Sequence, residues 1–490
     1  LIMNEYTTIF SGAESSFLSD VQVLLGKAET TSTAKALIPV WIDSLMYKSL
    51  GFNEFGLRLP NVVVLLLTFL GFYFFGKKLF GQKATVVTLL VMASSFLPVN
   101  FAKVATGDVW LFSVQLMSFI FLIFFLKQPI NKWKWGVWIF TVLGALVHPL
   151  SMLVWSLGLW GYLQFWHPKK RNLRQLMLLP LLLIIYVPLY FFGYISLAMP
   201  YFYMGIGSGN FSYYFVIALL GILPWFGFLP AALWDMIKKL KKKEEMAMIN
   251  LGWILLAIFS QSLVIVAAFS FIIAKNLLSY FQKNYPYKRL VKGFTLVNMI
   301  FTFCVLTVGL LSGFLNFQGT GYRSLFGVSA LYWMSCMASV LGLFMMNNGL
   351  VTGGMAFSGL IATWLFWLQV NPLVESQRNL PQQVFQSLSS KGVGKTTIRS
   401  TELYHLASDS VFYQHNFQVY LNDLRVKTIA IDSSRILSIP SKGQNALAAI
   451  PDDFYEKLPS NHVFKQNETT EAIGGRGMLQ REVKYQLVEF

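Results

Sequence analysis

Residues 248–280 read MINLGWILLAIFSQSLVIVAAFSFIIAKNLLSY, and the number of times this run crosses a membrane decides the fold of the chain. Its 33 residues carry a single charge, Lys275. A bilayer crossing takes about 20 apolar residues, so the run is long for one helix and short for two. The flanking charges settle the matter, because short loops rich in Lys and Arg stay on the cytoplasmic side. Five segments are basic: Lys77, Lys78 and Lys83; Lys127, Lys132 and Lys134; Lys169, Lys170, Arg171 and Arg174; the cluster from Lys238 to Lys243; and Lys283, Lys288, Arg289 and Lys292. Alternating crossings bring the first four to one side, and the fifth joins them only if 248–280 crosses twice as a tight hairpin.

Outward from that hairpin, further apolar runs fall at roughly 59–76, 84–101, 108–126, 133–148, 149–166, 173–195 and 212–235, then 293–316, 325–346 and 350–370. About twelve spans result, a polytopic helical bundle. With 55% hydrophobic and only 12% charged residues, the 490-residue chain is no ordinary soluble protein. A net charge of +17 would in a soluble chain point to nucleic acid, but residues 1–370 hold 26 basic and 10 acidic residues while 371–490 hold 13 and 12. Nineteen of those 26 basic residues lie in the five cytoplasmic segments. The charge therefore reports topology and contact with anionic inner-leaflet lipid, and no nucleic-acid partner is expected. Cys304 and Cys336 sit in apolar runs, which leaves no disulfide framework and no cysteine zinc site; no metal is expected.

The same alternation makes residues 1–58 an extracytoplasmic first loop, 59–370 the membrane domain and 371–490 an extracytoplasmic tail. Polar composition with alternating stretches, VFYQHNFQVYL (411–421) and KTIAIDSSRILSI (427–439), makes the tail a small α/β domain. Its KGVGKTT (391–397) approaches a phosphate loop, but Ser389 stands where that pattern needs Gly, so an ordinary turn is the reading. Ionisable residues near the outer membrane face are few: Glu14, Asp20, Lys35, Asp43, Glu54, Arg58, Lys103, Asp108 and His148. Charge beside hydrocarbon is costly and usually functional. Glu14 and Asp108 suit a general base or electrostatic stabiliser; Lys35, Arg58 and Lys103 suit a phosphate or pyrophosphate. Structural readings compete: Arg58 and Lys103 as interfacial side chains, Glu54 paired with Arg58, and His148 before Pro149 as a helix-end residue.

KALIPVWIDSLMYKSLGFNEFGLRLP (35–60) resembles the first-loop signature of GT-C glycosyltransferases, in the branch of the protein-mannose and lipid A aminoarabinose transferases. Lys35, Trp41, Lys48, Gly51, Arg58, Leu59 and Pro60 keep the family's identities and spacing. Thr106-Gly107-Asp108-Val109-Trp110-Leu111 is similar to the family's Thr-Asp-x-Pro-Leu motif with one residue inserted. SYYFVIALLGILPWFGFLPAALW (212–234) resembles the helix after its donor loop, and SDSVFYQHNFQVY (408–420) a segment of its periplasmic domain.

The resemblance implies a glycosyltransferase using a polyprenyl-phosphate sugar on the outer face of a bacterial inner membrane, with a protein, lipid or glycan as acceptor. It needs no cofactor beyond the lipid-linked donor. Glu14 and Asp108 would be the carboxylates at the reaction centre. Lys35, Arg58, Lys103 and His148 would serve the donor phosphate, and Tyr213 in the Tyr-rich 201–214 segment would guide the lipid. A helix ahead of Leu1 is also implied.

There are departures. The family's catalytic Asp-Glu pair falls on Ala13-Glu14, Ala36 replaces a Pro, and the donor-loop His and Arg have no counterpart in 196–211. A rival reading follows, a catalytically silent scaffold whose first loop and tail meet protein partners in a membrane assembly. A transporter is disfavoured, since no span holds a carboxylate pair and no repeat is detectable.

Overall fold

The computed structural model describes residues 12–26, 37–51, 54–128, 130–166, 211–316, 321–365, 402–406, 421, 426–431, 446–451 and 485–489. The expected span 173–195, the segment 196–210, Lys35 and the KGVGKTT turn lie outside them. The helices are α1 (Gly12–Leu24), α2 (Leu37–Leu50), α3 (Glu54–Phe80), α4 (Gln82–Ser94), α5 (Phe96–Phe101), α6 (Asp108–Lys127), α7 (Asn131–Val147) and α8 (Pro149–Trp166). They continue as α9 (Phe211–Leu220), α10 (Leu229–Lys241), α11 (Glu245–Phe259), α12 (Val264–Tyr280), α13 (Lys288–Asn316), α14 (Gly321–Phe344) and α15 (Asn348–Leu365).

The membrane unit runs from Arg58 to Gln369, together with Thr33–Ile42. Its axis is α6, whose sequence DVWLFSVQLMSFIFLIFFLK is apolar on every side and therefore has no solvent face to offer. Seventeen of its 20 residues are buried, and at 1.5 Å per residue it is about 30 Å long, the thickness of a bilayer's hydrocarbon core. By contrast α3 turns Val63, Leu66, Leu67, Leu70 and Phe74 outward, a surface that only lipid covers favourably. Among the described residues, stretches of α3, α6 and α14 are long and apolar enough to cross a membrane. The chain is an integral membrane protein.

The run 248–280 folds as the hairpin that the charges require. Helices α11 and α12 are joined through Ser260–Leu263, with Gln261 in the left-handed region at φ 48°. This turn is buried, so its polar groups need partners inside the bundle. Ser262 Oγ donates to Gln115 Oε1 on α6. The Tyr214 hydroxyl on α9 lies 2.9 Å from the carbonyl oxygens of both Ala257 and Ser262. A correction falls on 212–235, expected as one continuous span. It is broken at residues 221–228, where Pro224 cannot donate to a helical ladder and a short 3-10 turn, Trp225–Phe228, re-aims the chain into α10. Trp225 Nε1 then donates to Ser94 Oγ at the end of α4, 2.9 Å away.

The second unit contains Ile2–Ser32, Asp43–Leu57 and Val370–Phe490. Its sheet has strands β1 (Glu402–Leu406), β2 (Lys427–Ile431), β3 (Ala446–Pro451) and β4 (Tyr485–Glu489) in the order β2-β1-β3-β4. β1 pairs in parallel with β2 and β3, placing Glu402 beside Lys427 and Ala446, and β3 pairs antiparallel with β4, Ala448 opposite Val488. Parallel neighbours require crossover connections, so the sheet is of the mixed kind found in α/β and α+β domains. Leu403 and His405 share the buried face of β1.

Candidate functional site

Arg58, Lys103, Asp108 and His148 all belong to the membrane unit, at the end of the bundle where α3 and α6 begin and α7 ends. Arg58 lies in the second turn of α3 and is 1% exposed. A guanidinium stays charged in proteins, so its burial fixes a positive charge at this end of the bundle. Lys103 lies in the turn 102–107 between α5 and α6. Burial, and then the neighbouring Arg58 guanidinium, push its ammonium down from the usual 10.5 to about 8. The two cations thus lie within electrostatic reach of each other at this end of the bundle.

Asp108 is the first residue of α6 and is buried. A carboxylate there is complemented by the unpaired N–H groups and dipole of the helix. His148 caps two helices: its N–H donates to the Gly144 carbonyl at 2.8 Å, and its Nδ1 accepts the Ser151 N–H at 3.3 Å. Accepting at Nδ1 leaves the neutral ring's proton on Nε2. The helix-end role weighed for His148 is therefore present, whatever else the ring does.

The sequence reading missed the residue that holds these parts together. Asn61, one turn beyond Arg58 on α3, is 1% exposed. Its Nδ2 donates to the carbonyls of Val104 (2.6 Å) and Thr106 (3.0 Å), and its Oδ1 accepts from Trp110 Nε1 at 2.8 Å. One side chain thereby ties the turn of Lys103 and the first turn of α6 to the helix of Arg58. A buried amide directly after Arg58-Leu59-Pro60 was the available signal, since a polar side chain in a span needs a reason. Thr106, part of the Thr106-to-Leu111 motif but not nominated for the site, has a buried hydroxyl that makes no hydrogen bond among the described residues.

Trp110 also lines an apolar cavity of about 300 Å³ between α3, α6 and α7, with Val64, Thr68, Ser113, Met117 and Val147 in its walls. The cavity starts beside the Asn61 clasp and descends along α6. The remaining nominated residues are less fully described. Glu14 and Ala13 lie in α1 of the second unit and Tyr213 in α9, with their side chains outside the described structure, as is Lys35 altogether.

Residues 34–193 match the family model described as dolichyl-phosphate-mannose-protein mannosyltransferase. No curated protein sequence matches the chain. The crystal structure of ArnT from Cupriavidus metallidurans bound to undecaprenyl phosphate superposes with a TM-score of 0.64 at 16% identity, over 100% of this chain and 95% of that one. The chain has the GT-C fold. ArnT in the apo state superposes at 0.61 and 15% identity over the same shares. The family match takes in Lys35, Arg58, Asn61, Lys103, Asp108 and His148, and ends before Tyr213.

Proposed function

We propose that this GT-C chain is a membrane glycosyltransferase that moves a sugar from a polyprenyl-phosphate donor to an acceptor on the side of the membrane opposite the basic loops. The observation that carries the reading is that buried Arg58 and Lys103 lie within electrostatic reach of each other at the end of the bundle where α6 begins with buried Asp108. A phosphate within reach of both would accept charge-assisted hydrogen bonds from the guanidinium and the ammonium. The structurally similar ArnT was crystallised with undecaprenyl phosphate, the lipid that remains once such a donor has given up its sugar.

In this reaction the acceptor's nucleophile forms a bond to the anomeric carbon, and the bond from that carbon to the phosphate oxygen breaks. The electron pair leaves with the phosphate. Arg58 and Lys103 stabilise the charge that develops there, an effect stronger in a low-dielectric site than in water. Asp108 receives or orients the acceptor's proton; general-base help of this kind is worth about two to four orders of magnitude in rate. Glu14, Lys35, His148 and Tyr213 enter as further donor-side and carboxylate contributions implied by the family resemblance. The apolar cavity beside Trp110 suits the first isoprene units of the donor.

Binding tests the donor half of this reading. Titrating purified protein in nanodiscs with undecaprenyl phosphate is expected to show saturable binding that undecaprenol does not reproduce. Arg58→Gln and Lys103→Gln should each weaken it roughly tenfold or more, since each removes a charge-assisted hydrogen bond. Equal affinity in wild type and both variants would overturn the assignment.

A further inference from the structure

Beside the break at 221–228 lies an apolar cavity of about 340 Å³, between α9, α10 and α13. Leu219, Phe226 and Phe294 stand in its walls, and Asn298 is the one polar side chain among the described lining residues. Val216, Leu220, Val297 and Phe301 are exposed at its rim, so the cavity opens toward the hydrocarbon of the bilayer. Asn298 lies six residues beyond Lys292 on α13, about 9 Å further from the basic loops at 1.5 Å per residue.

The break explains half of the Asn298 amide. Backbone that leaves the helical ladder at membrane depth needs its polar groups satisfied inside the protein. The Gly221 and Leu223 carbonyls accept from the N–H groups of Leu97 and Phe96 at 3.0 and 3.1 Å, and the Pro224 carbonyl accepts from Asn298 Nδ2 at 3.2 Å. That last bond fixes which way the amide faces, because a carbonyl can only accept. The amide oxygen is left over: Asn298 is 7% exposed and its Oδ1 has no hydrogen-bond partner. One turn back, Thr295 is fully buried and its hydroxyl has no partner either. Thr68, Thr88, Thr141 and Thr302 each donate to the carbonyl four residues back, and Thr295 does not. Both side chains belong to the stretch of α13 that packs on Gly227, where a Cβ would come 2.7 Å from Thr295 Cα and 3.1 Å from Asn298 Cβ.

We propose that this cavity binds an uncharged, hydroxyl-bearing apolar molecule dissolved in the bilayer, its hydroxyl donating to Asn298 Oδ1 and accepting from Thr295 Oγ1. Side chains three apart on a helix have Cβ atoms about 5–6 Å apart, a gap that one oxygen spans with two hydrogen bonds. A hydroxyl both donates and accepts, whereas an ether or a carbonyl cannot donate and an ammonium cannot accept. Charged groups do not suit the cavity, since no charged side chain is among its described lining residues and a charge at this depth is costly. A water molecule would satisfy the polar pair and leave the apolar walls uncovered. Apolar walls with a few placed polar groups are the usual make-up of a small-molecule site. The cavity is separate from the residues of the proposed transferase reaction.

Photolabelling of the full chain in phosphatidylcholine nanodiscs tests the site, with a diazirine analogue of octanol as probe, the same diazirine on octane as control, and mass spectrometry of the labelled peptides. The octanol probe should label 211–241 and 288–304 saturably, and unlabelled octanol should compete where octane does not. Thr295→Val, which keeps the shape and removes the hydroxyl, should weaken binding roughly tenfold, as should Asn298→Leu. Because Asn298→Leu also strips the Pro224 carbonyl of its donor, Thr295→Val carries the test if that variant does not fold. Val297→Trp at the lipid-facing rim should block labelling, and Leu341→Trp on the exposed face of α14 should leave it intact. Equal saturable labelling by the octane probe, or unchanged affinity in Thr295→Val, would overturn the site and leave a groove filled by lipid tails. Full displacement of the probe by undecaprenyl phosphate would assign the cavity to the chain of a lipid-linked donor and overturn a separate ligand.

Discussion

Asn61 shows how one uncharged side chain can set the geometry of several charged ones. Its three hydrogen bonds join α3, the 102–107 turn and α6. In Asn61→Ala the Val104 and Thr106 carbonyls and the Trp110 N–H lose their partner, at about 1–3 kcal/mol. The expected result is a lower melting temperature by scanning fluorimetry together with a turnover loss larger than the change in donor KM, because the groups are displaced and not removed. Asn61→Asp should fail as well, since a carboxylate cannot donate to the Val104 and Thr106 carbonyls. Lys103 gives a prediction in pH. Its folded value of about 8 lies below the usual 10.5, so the folded state gives up this proton first as pH rises. The burial penalty is thus fully present below pH 8 and is relieved between pH 8 and 10.5, while the folded protein loses the phosphate-binding charge around pH 8. The profile of kcat/KM for the donor should fall through an apparent pKa near 8, and Lys103→Arg should hold the plateau beyond pH 9 because a guanidinium does not titrate there. An unchanged fall in Lys103→Arg would assign the titration to another group.

At the scale of elements, close helix contacts and buried polar bonds position the bundle. Where α15 crosses α4, a Cβ on Gly359 would come 1.9 Å from the Ser94 carbonyl oxygen, and Ser94 Oγ is also the acceptor of Trp225 Nε1. Small residues at such crossings let membrane helices approach backbone to backbone. Gly359→Ala should cost about 1–3 kcal/mol through this clash, read as a fall in melting temperature; an unchanged value would mean that α15 does not pack on α4 in this way. The elements differ in how legible they were. The hairpin α11–α12 follows from charge alone, because five basic loops can share one side only if 248–280 turns back. The break at 221–228 was hidden, since an average over an apolar window hardly registers one Pro among Ile, Leu, Trp and Phe. The clasp of Asn61 was hidden for a different reason: its acceptors lie 43 and 45 residues away, and no local pattern announces them. Gln115, buried in mid-span as the partner of Ser262, was passed over in the same way. Arg58 and Asp108 were legible because charge is rare in this chain's spans and both fall in quoted motifs.

For the whole molecule, two ends of one bundle carry different chemistry. The end with the basic loops carries the lysine-rich turns, and the opposite end holds Arg58, Lys103 and Asp108 near the Asn61 clasp. The GT-C fold accommodates this division, but a fold does not guarantee a reaction. Ala13 stands where the family resemblance expects a carboxylate, and the proposed proton-handling role therefore falls to Asp108. The most direct test is sugar transfer itself: purified protein in proteoliposomes, supplied with a radiolabelled polyprenyl-phosphate sugar and a membrane extract as acceptor source. The account predicts wild-type transfer with release of polyprenyl phosphate, reduced about 100-fold or more in Asp108→Asn. Donor binding should be nearly unchanged in that variant. Background transfer in wild type and Asp108→Asn alike, with donor binding intact, would contradict the account and leave a silent scaffold that has kept the fold.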